Sequence, residues 1–200
     1  MSIYSLKPKF QNLLRPIVRG LFAAGVTANQ VTVLAALISI ALGLALYFGS
    51  LPRIWFLLIP VWLFLRMALN AIDGMLAREF AQQSRLGAYL NELTDVLSDS
   101  ALYLPFVLIT PFTGFWVGLV ILLAAVSEMA GVLGQVIGRS RRYDGPMGKS
   151  DRAFVFGALG LAVATTEHLP EALKWLMPIL AVAIALTMVR RVRAGLADPA

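Results

Sequence analysis

The chain has 200 residues, of which 59% are hydrophobic and 14% are charged, and its net charge is +6. Soluble domains are about 25% charged, so this composition excludes an ordinary soluble protein. No cysteine is present, which also excludes disulfides and thiolate metal sites.

Residues 3–22 are predicted to form a basic amphipathic helix. Apolar side chains recur there every three or four residues, with cations between them, which is typical of a helix lying in the membrane interface. A helix packed on a soluble core is the alternative, but the chain offers little soluble core. The apolar positions are Ile3, Leu6, Phe10, Leu13, Ile17 and Leu21, and the cations are Lys7, Lys9, Arg15 and Arg19.

Six apolar segments follow, and crossing a bilayer takes about 20 residues of helix. We therefore predict one all-α polytopic membrane domain over residues 1–200. It consists of an interfacial helix within 1–25 and a bundle of six transmembrane helices within 26–200. The predicted spans are 31–48, 54–72, 88–110, 112–138, 153–168 and 172–190.

The distribution of Lys and Arg predicts the orientation. With a cytoplasmic N-terminus, 14 of these residues lie on the inside and only Arg53 and Lys174 lie outside, while Arg66 falls within the second span. Such an asymmetry indicates that both termini are cytoplasmic. It also explains the basic pI, so we do not expect nucleic-acid binding.

Two pairs of glycines lie in the fourth predicted span. Gly114 and Gly118, and likewise Gly134 and Gly138, are four residues apart, which permits close helix approach. We expect a homodimer through this face, and packing within one chain is the alternative.

Polar side chains gather at one end of the second and third spans, where the membrane makes them costly. Asn70 and Asp73 share one helix face, and Asn91, Asp95 and Asp99 form a stripe at steps of four residues. A short connection would bring the two faces together. Oxygen ligands of this kind suit Mg²⁺ or Mn²⁺.

Interhelical hydrogen bonds and ion pairs are the alternative for these side chains, with Arg66 and Arg78 as counter-charges. Gly74, Ala77 and Gly87 favour a ligand site, because they leave room for a ring or a phosphate near the backbone. Packing of small residues between helices would account for them equally.

Residues 70–78, NAIDGMLAR, and 87–95, GAYLNELTD, resemble the signature D-x2-D-G-x2-A-R-x8-G-x3-D-x3-D of the CDP-alcohol phosphatidyltransferases. The spacing agrees throughout. Thr27-Ala28-Asn29 is similar to the Thr-Pro-Asn element that opens the first span of the family. An interfacial helix, six spans and a cytoplasmic site agree with the family as well.

The resemblance implies an enzyme that moves a substituted phosphate group from a CDP-alcohol to an acceptor hydroxyl and releases CMP, with Mg²⁺ or Mn²⁺ at the diphosphate. CDP-diacylglycerol is the expected donor, and a polyol or polyol phosphate is the expected acceptor. Asp95 matches the general base. The implied metal ligands are Asp73, Asp95, Asn70 and Asn91, and Asp99, one helical turn after Asp95, would restore some of the negative charge that the two asparagines lack. The implied CDP-binding positions are Asn29, Gly74, Ala77, Arg78 and Gly87.

Two departures from the signature separate this chain from most of the family. Asn70 and Asn91 occupy the first and third aspartate positions, and a carboxamide oxygen is a weaker, neutral ligand. The chain is similar to a bacterial branch with this variant, which places it in the inner membrane. A non-catalytic relative that binds nucleotide-lipid or a partner enzyme is therefore an alternative, and a small ion-coupled transporter is another.

Residues 138–152 form a basic loop ahead of the fifth span. Gly148-Lys149-Ser150 is not a P-loop, because Tyr143 stands where the first glycine of that motif belongs. In the family this region helps to hold the acceptor, so we predict that Arg139, Arg141, Lys149 and Arg152 bind its phosphate. Contact with anionic lipid headgroups is the alternative.

Overall fold

The computed structural model describes residues 6–197, with side chains from Phe10 onward, and every regular element in that range is helical. The start of the predicted N-terminal helix, including Ile3, lies outside the described residues. The long helices are α1 Leu6–Ala23, α2 Ala28–Phe48, α3 Leu58–Glu79, α4 Arg85–Tyr103, α5 Gly114–Val136, α6 Lys149–Thr165 and α7 Leu176–Ala197. Short 3-10 segments cover Arg53–Leu57, Leu104–Leu108 and Glu171–Trp175.

Each predicted span corresponds to one of the helices α2 to α7, and all of these helices except α5, which ends at Val136 rather than residue 138, extend further at one end of the bundle. α3 continues to Glu79 rather than residue 72, and α7 continues to Ala197 rather than residue 190. α4 and α6 likewise begin earlier than predicted. Hydropathy marks only the apolar part of a helix, whereas its backbone hydrogen bonds continue into polar sequence. We call this end of the bundle the site end.

Four helical stretches among the described residues are long and apolar enough to cross a membrane: Ala28–Phe48, Arg53–Glu79, Gly114–Val136 and Glu171–Ala197. α4 differs because Glu92, Asp95 and Asp99 interrupt its apolar surface, and α6 differs because it has only 17 residues. The chain is thus an all-helical membrane protein with at least these four candidate spans.

The exterior of the bundle is apolar, as expected for a surface in contact with lipid. Leu37 and Phe64 are each 60% exposed, and Val182 is 63% exposed. Inside, α2 packs along α4 and α5 packs along α7, while α3 contacts α2 and α6. Tyr103 and Phe156 stack with ring centroids 3.7 Å apart in the larger of two apolar cores.

α1 packs against the site end of α3. Leu14 and Val18 are buried in a second apolar core with residues of α3, and Arg15 forms a 3.0 Å ion pair with Glu79. Leu13 and Ile17, which belong to the predicted apolar face, are exposed. Phe10 and Leu21 of the same predicted face pack against the second core, and the place of α1 in the membrane interface stays a prediction.

The two predicted glycine pairs differ in the structure. Gly138 lies beyond the end of α5 at Val136, and Gly134 packs against the following loop of the same chain. Apart from the adjoining residues and backbone of α5 itself, no described atom lies within 4 Å of a Cβ built on Gly118, so its side of α5 is open. A dimer contact through Gly114 and Gly118 stays a prediction.

Candidate active site

The polar faces of α3 and α4 meet at the site end, as their spacing predicts. The Nδ2 of Asn70 donates to the Oδ1 of Asp95 over 3.5 Å, and the Nη2 of Arg66 donates to the same oxygen over 3.0 Å. The Nζ of Lys149, at the start of α6, lies 2.5 Å from the other oxygen of Asp95. Asp95 therefore sits where three helices converge.

Asp73 is buried one turn along α3 from Asn70. Its Oδ2 accepts a 2.8 Å hydrogen bond from the Oγ1 of Thr32 on α2, which orients the carboxylate. Asn70 thus lies one turn from Asp73 on α3 and in contact with Asp95 on α4.

The start of α2 and the connection from α3 to α4 form a narrow corner beside these carboxylates. The Nδ2 of Asn29 donates to the Oγ of Ser84 over 3.5 Å, and Ser84 caps α4 by accepting from the N–H of Gly87 over 2.9 Å. A Cβ on Gly87 would lie 2.7 Å from the Oδ1 of Asn29, so any other residue there would displace the Asn29 side chain. This corner brings Asn29 and Gly87 together, as the resemblance implies.

The other implied CDP-binding residues lie at the end of α3. The guanidinium of Arg78 folds back over Gly74, within 3.0 Å of where a Cβ would stand. Ala77 is partly buried against the smaller apolar core. Arg78 and Gly74 thus share one surface, and Ala77 contributes to the packing behind it.

Asp99 lies one turn below Asp95 in a buried ion-pair network. Its Oδ1 accepts from Arg66, and its Oδ2 lies 3.4 Å from the Nη2 of Arg152. Both oxygens therefore already have guanidinium partners. Interhelical ion pairs are the alternative to a metal site that the sequence leaves open, and such pairs are present here. Arg66 is a partner of both Asp95 and Asp99.

Glu128 on α5 is the centre of the network on the other side. Its Oε1 lies 2.9 Å from Arg152 and 3.4 Å from Arg191, and its Oε2 lies 3.2 Å from Arg141. Arg141 also pairs with Glu92 on α4. A carboxylate shared by three guanidiniums compensates charges that would be costly to bury alone.

The loop after α5 places Arg141 by lying directly on that helix. The N–H of Arg142 donates to the carbonyl of Gly131 over 3.0 Å. A Cβ on Gly134 would lie 2.7 Å from the carbonyl oxygen of Ser140, so the backbones approach this closely only because a glycine stands there. Thr187 on α7 holds the loop further along by accepting from the N–H of Met147 over 3.0 Å.

A polar pocket of about 360 Å³ opens between these elements. Arg141 and Lys149 of the predicted acceptor set line it, whereas Arg152 is buried below it and Arg139 lies outside its lining. Arg191, which is not among the predicted site residues, lines the pocket as well. The pocket is lined by Asn70, Asn91, Asp95, Glu128, Arg141, Tyr143, Gly148, Lys149, Ser150, Asp151 and Arg191.

An apolar groove of about 800 Å³ runs along α3 and α6 and ends at the same place. Phe64, Phe154 and Leu161 line its apolar length, and Asn70 and Lys149 line both the groove and the polar pocket. An amphiphilic molecule lying in the groove would therefore present its polar end to Asp95.

The ligands at the α3–α4 junction are oxygen atoms, which a hard divalent cation prefers, but together they carry little negative charge. Nowhere in residues 6–197 do three Asp, Glu or His side chains gather into a metal site. The reason is visible at positions 70 and 91, where carboxamides replace two carboxylates. Asp73 and Asp95, completed by the oxygens of Asn70 and Asn91 and by phosphate oxygens of a ligand, fit Mg²⁺ or Mn²⁺.

Two known proteins illustrate what this chain is similar to in sequence. The inner membrane protein YnbA of Escherichia coli is 47% identical over 98% of this chain and 97% of its own length. The phosphatidylinositol phosphate synthase of Mycobacterium tuberculosis is 33% identical over a shorter region, 47% of this chain and 42% of that protein.

Solved structures extend the likeness to the fold. The M. tuberculosis phosphatidylinositol phosphate synthase in complex with manganese and citrate superposes with a TM-score of 0.73 at 25% identity, over 92% of this chain and 89% of that chain. The same enzyme with CDP-DAG bound gives 0.71 at 26% identity, over 92% and 94%. Residues 25–189 match the family described as CDP-alcohol phosphatidyltransferase, and the chain belongs to that family of enzymes.

Proposed function

We propose that this protein transfers a substituted phosphate group from CDP-diacylglycerol, or a related CDP-alcohol, to a hydroxyl of a polyol or polyol phosphate and releases CMP. Family membership and the likeness to a structure with CDP-DAG bound support the donor. The observation that carries the proposal is the position of Asp95. It contacts Asn70 of the family signature and lines the polar pocket.

Three neighbouring regions divide the substrates between them. The corner of Asn29 and Gly87 would hold the cytidine and diphosphate, together with Gly74, Ala77 and Arg78 at the end of α3. The apolar groove would hold the acyl chains, because it is long, apolar and open to the bilayer side of α3 and α6. The polar pocket would hold the acceptor, next to its predicted contacts Arg141 and Lys149.

Mg²⁺ or Mn²⁺ would be held by Asp73 and Asp95 with Asn70 and Asn91, and the manganese in the solved relative supports this. Such an ion would bind the diphosphate and stabilise the charge that develops on the departing CMP. We assign Asp99 to the ion-pair network instead, because it is buried between Arg66 and Arg152 and, unlike Asp95, does not line the polar pocket.

Asp95 is the proposed general base. It takes the proton of the acceptor hydroxyl while the hydroxyl oxygen attacks the β-phosphorus, and the bond between that phosphorus and the oxygen of CMP breaks. Arg66 and Lys149 orient its carboxylate from two sides, so that it faces the pocket. Arg139 would contact lipid headgroups rather than the acceptor, since it lies outside the pocket lining.

We place the protein in the bacterial inner membrane with six spans, α2 to α7, and with both termini and the site on the cytoplasmic side. The excess of cations at the site end and the relative from an inner membrane support this placement. A homodimer through the open Gly118 side of α5 is part of the same proposal.

Asp95→Asn tests the proposal directly. A general base typically contributes about 10²- to 10⁴-fold to the rate, so CMP release from CDP-diacylglycerol with a panel of polyols should fall by about that factor. Asp144→Asn is the matched control, because Asp144 forms an exposed ion pair with Arg142 outside the pocket. Full activity of Asp95→Asn would show that the base is another residue.

A further inference from the structure

Each cation around the polar pocket already has a carboxylate partner within the chain. Lys149 is paired with Asp95, Arg141 with Glu92, and Arg191 with Glu128. These contacts come from four different helices and the loop, so they are fixed by the fold rather than by neighbours in sequence.

Glu128 is the most constrained of the carboxylates. It is 6% exposed and contacts Arg141, Arg152 and Arg191. Glu92 is more accessible, with 28% of its side chain exposed. A phosphate that bound Arg141 would have to displace Glu92, which has no other ion-pair partner among the described residues, and break one of the contacts of Glu128, which is costly in a buried site.

The charge balance of the polar pocket leads to the same conclusion. Its lining holds three cationic side chains, Arg141, Lys149 and Arg191, and three carboxylates, Asp95, Glu128 and Asp151. A divalent cation would balance the diphosphate of the donor. A phosphate on the acceptor would add a charge of about −1.5 to −2 with no surplus cation to meet it.

Within the proposed function, we propose that the acceptor is an uncharged polyhydroxy compound and that Glu92 and Glu128 exclude its phosphorylated counterparts. Hydroxyl groups match the pocket because they donate to carboxylates and accept from guanidiniums at once. The carboxylates act here as specificity determinants, and the proton is still taken by Asp95.

Paired acceptors test this in the purified protein with CDP-diacylglycerol and Mn²⁺. We expect kcat/KM for CMP release to be higher with glycerol than with glycerol 3-phosphate, and higher with inositol than with inositol 3-phosphate, by at least about tenfold. A preference for the phosphorylated member of both pairs would overturn the inference while leaving the transferase function in place. Failure of CMP release with every acceptor would instead count against the proposed function.

Two variants locate the selectivity. Glu92→Gln and Glu128→Gln each keep the shape of the side chain and remove one of the two carboxylate partners of Arg141, so both should shift the ratio towards the phosphorylated acceptor. Glu79→Gln makes the same chemical change at an exposed ion pair with Arg15 and should leave the ratio unchanged. Identical ratios in all three variants and the parent protein would overturn the assignment to Glu92 and Glu128.

A binding measurement does not depend on turnover. Inorganic phosphate at matched ionic strength should leave the melting temperature of the parent protein unchanged and raise that of Glu92→Gln, which is the more exposed of the two positions. Equal stabilisation of the parent and the variant by phosphate would show that the arginines are already available, and the inference would fail.

Discussion

Asn70 and Asn91 are the residues that distinguish this site from the family signature. A carboxamide presents one neutral oxygen to a cation, whereas a carboxylate presents two that share a negative charge. In this chain Asn70 also donates to Asp95, so its amide nitrogen connects α3 to α4. Compared with the family signature, the site therefore gains a hydrogen bond between α3 and α4 and loses negative charge around the cation.

Restoring both carboxylates should tighten cation binding. In Asn70→Asp with Asn91→Asp, two additional charges face the cation, so the Mn²⁺ concentration that gives half-maximal CMP release should fall by about tenfold or more. Titration of activity with Mn²⁺ measures this. Asn12→Asp, an exposed position on α1, is the control for added charge elsewhere. An unchanged metal requirement in the double variant would show that these positions do not contact the cation.

The sequence predicts part of this site because helix spacing alone brings certain residues together. Asn70 and Asp95 lie on facing stripes, and the structure places them in contact. The partners of Glu128 were beyond prediction, because which of several arginines turns inward depends on how distant helices are rotated. Arg191 is an example: its spacing from the buried Ile184 and Thr187 indicates the inner face, but Arg190 and Arg193 beside it obscure the signal.

At the scale of elements, the contact of the 139–148 loop with α5 positions the acceptor side of the site. Gly131 and Gly134 form a flat strip on the helix, and the loop backbone lies against it. The same pattern of small residues in the sequence suggests helix pairing equally well. Sequence spacing does not show whether a helix or a loop fills such a strip.

Gly134→Ala should separate the loop from α5, because the added Cβ would stand 2.7 Å from the carbonyl oxygen of Ser140. Since Arg141 follows directly, we expect KM for the acceptor to rise several-fold while the affinity for the donor stays the same. Gly20→Ala is the control, since no described atom lies within 4 Å of its Cβ and alanine favours the helix by about 1 kcal/mol. Equal kinetics in the two variants would contradict this role of the strip.

Helix ends were harder to predict than helix positions. α4 leaves α-helical geometry at Tyr103 and continues as the 3-10 segment Leu104–Leu108, where Pro105 lacks the N–H that an α-helix needs. At the other end, Ser84 starts α4 by capping Gly87. Each of these two signals, Pro105 and the Ser84 cap, is local and weak. A hydropathy profile, which follows the apolar residues, therefore does not detect them.

At the scale of the whole molecule, the polar helices are sheltered by apolar ones. α4, which carries Glu92, Asp95 and Asp99, packs against α2 and α5, and α6 packs against α3. Their carboxylates and cations face one another at the site end rather than the surrounding medium. A bundle of this kind can hold a charged site at the edge of the bilayer, because α4 and α6 also turn apolar side chains such as Leu93, Leu97 and Phe154 to the outside.

The six-span arrangement makes a specific prediction about which connections are accessible from outside the cell. The chain has no cysteine, so single cysteines can be introduced without background. If α4 and α6 both cross the membrane, Thr113→Cys and His168→Cys should react with a membrane-impermeant maleimide in intact cells. Gln83→Cys and Ser140→Cys, at the site end, should react only after permeabilisation, and all four positions are exposed in the structure. Labelling of Gln83→Cys and Thr113→Cys from the same side would show that α4 does not span, and the same result for Ser140→Cys and His168→Cys would show this for α6.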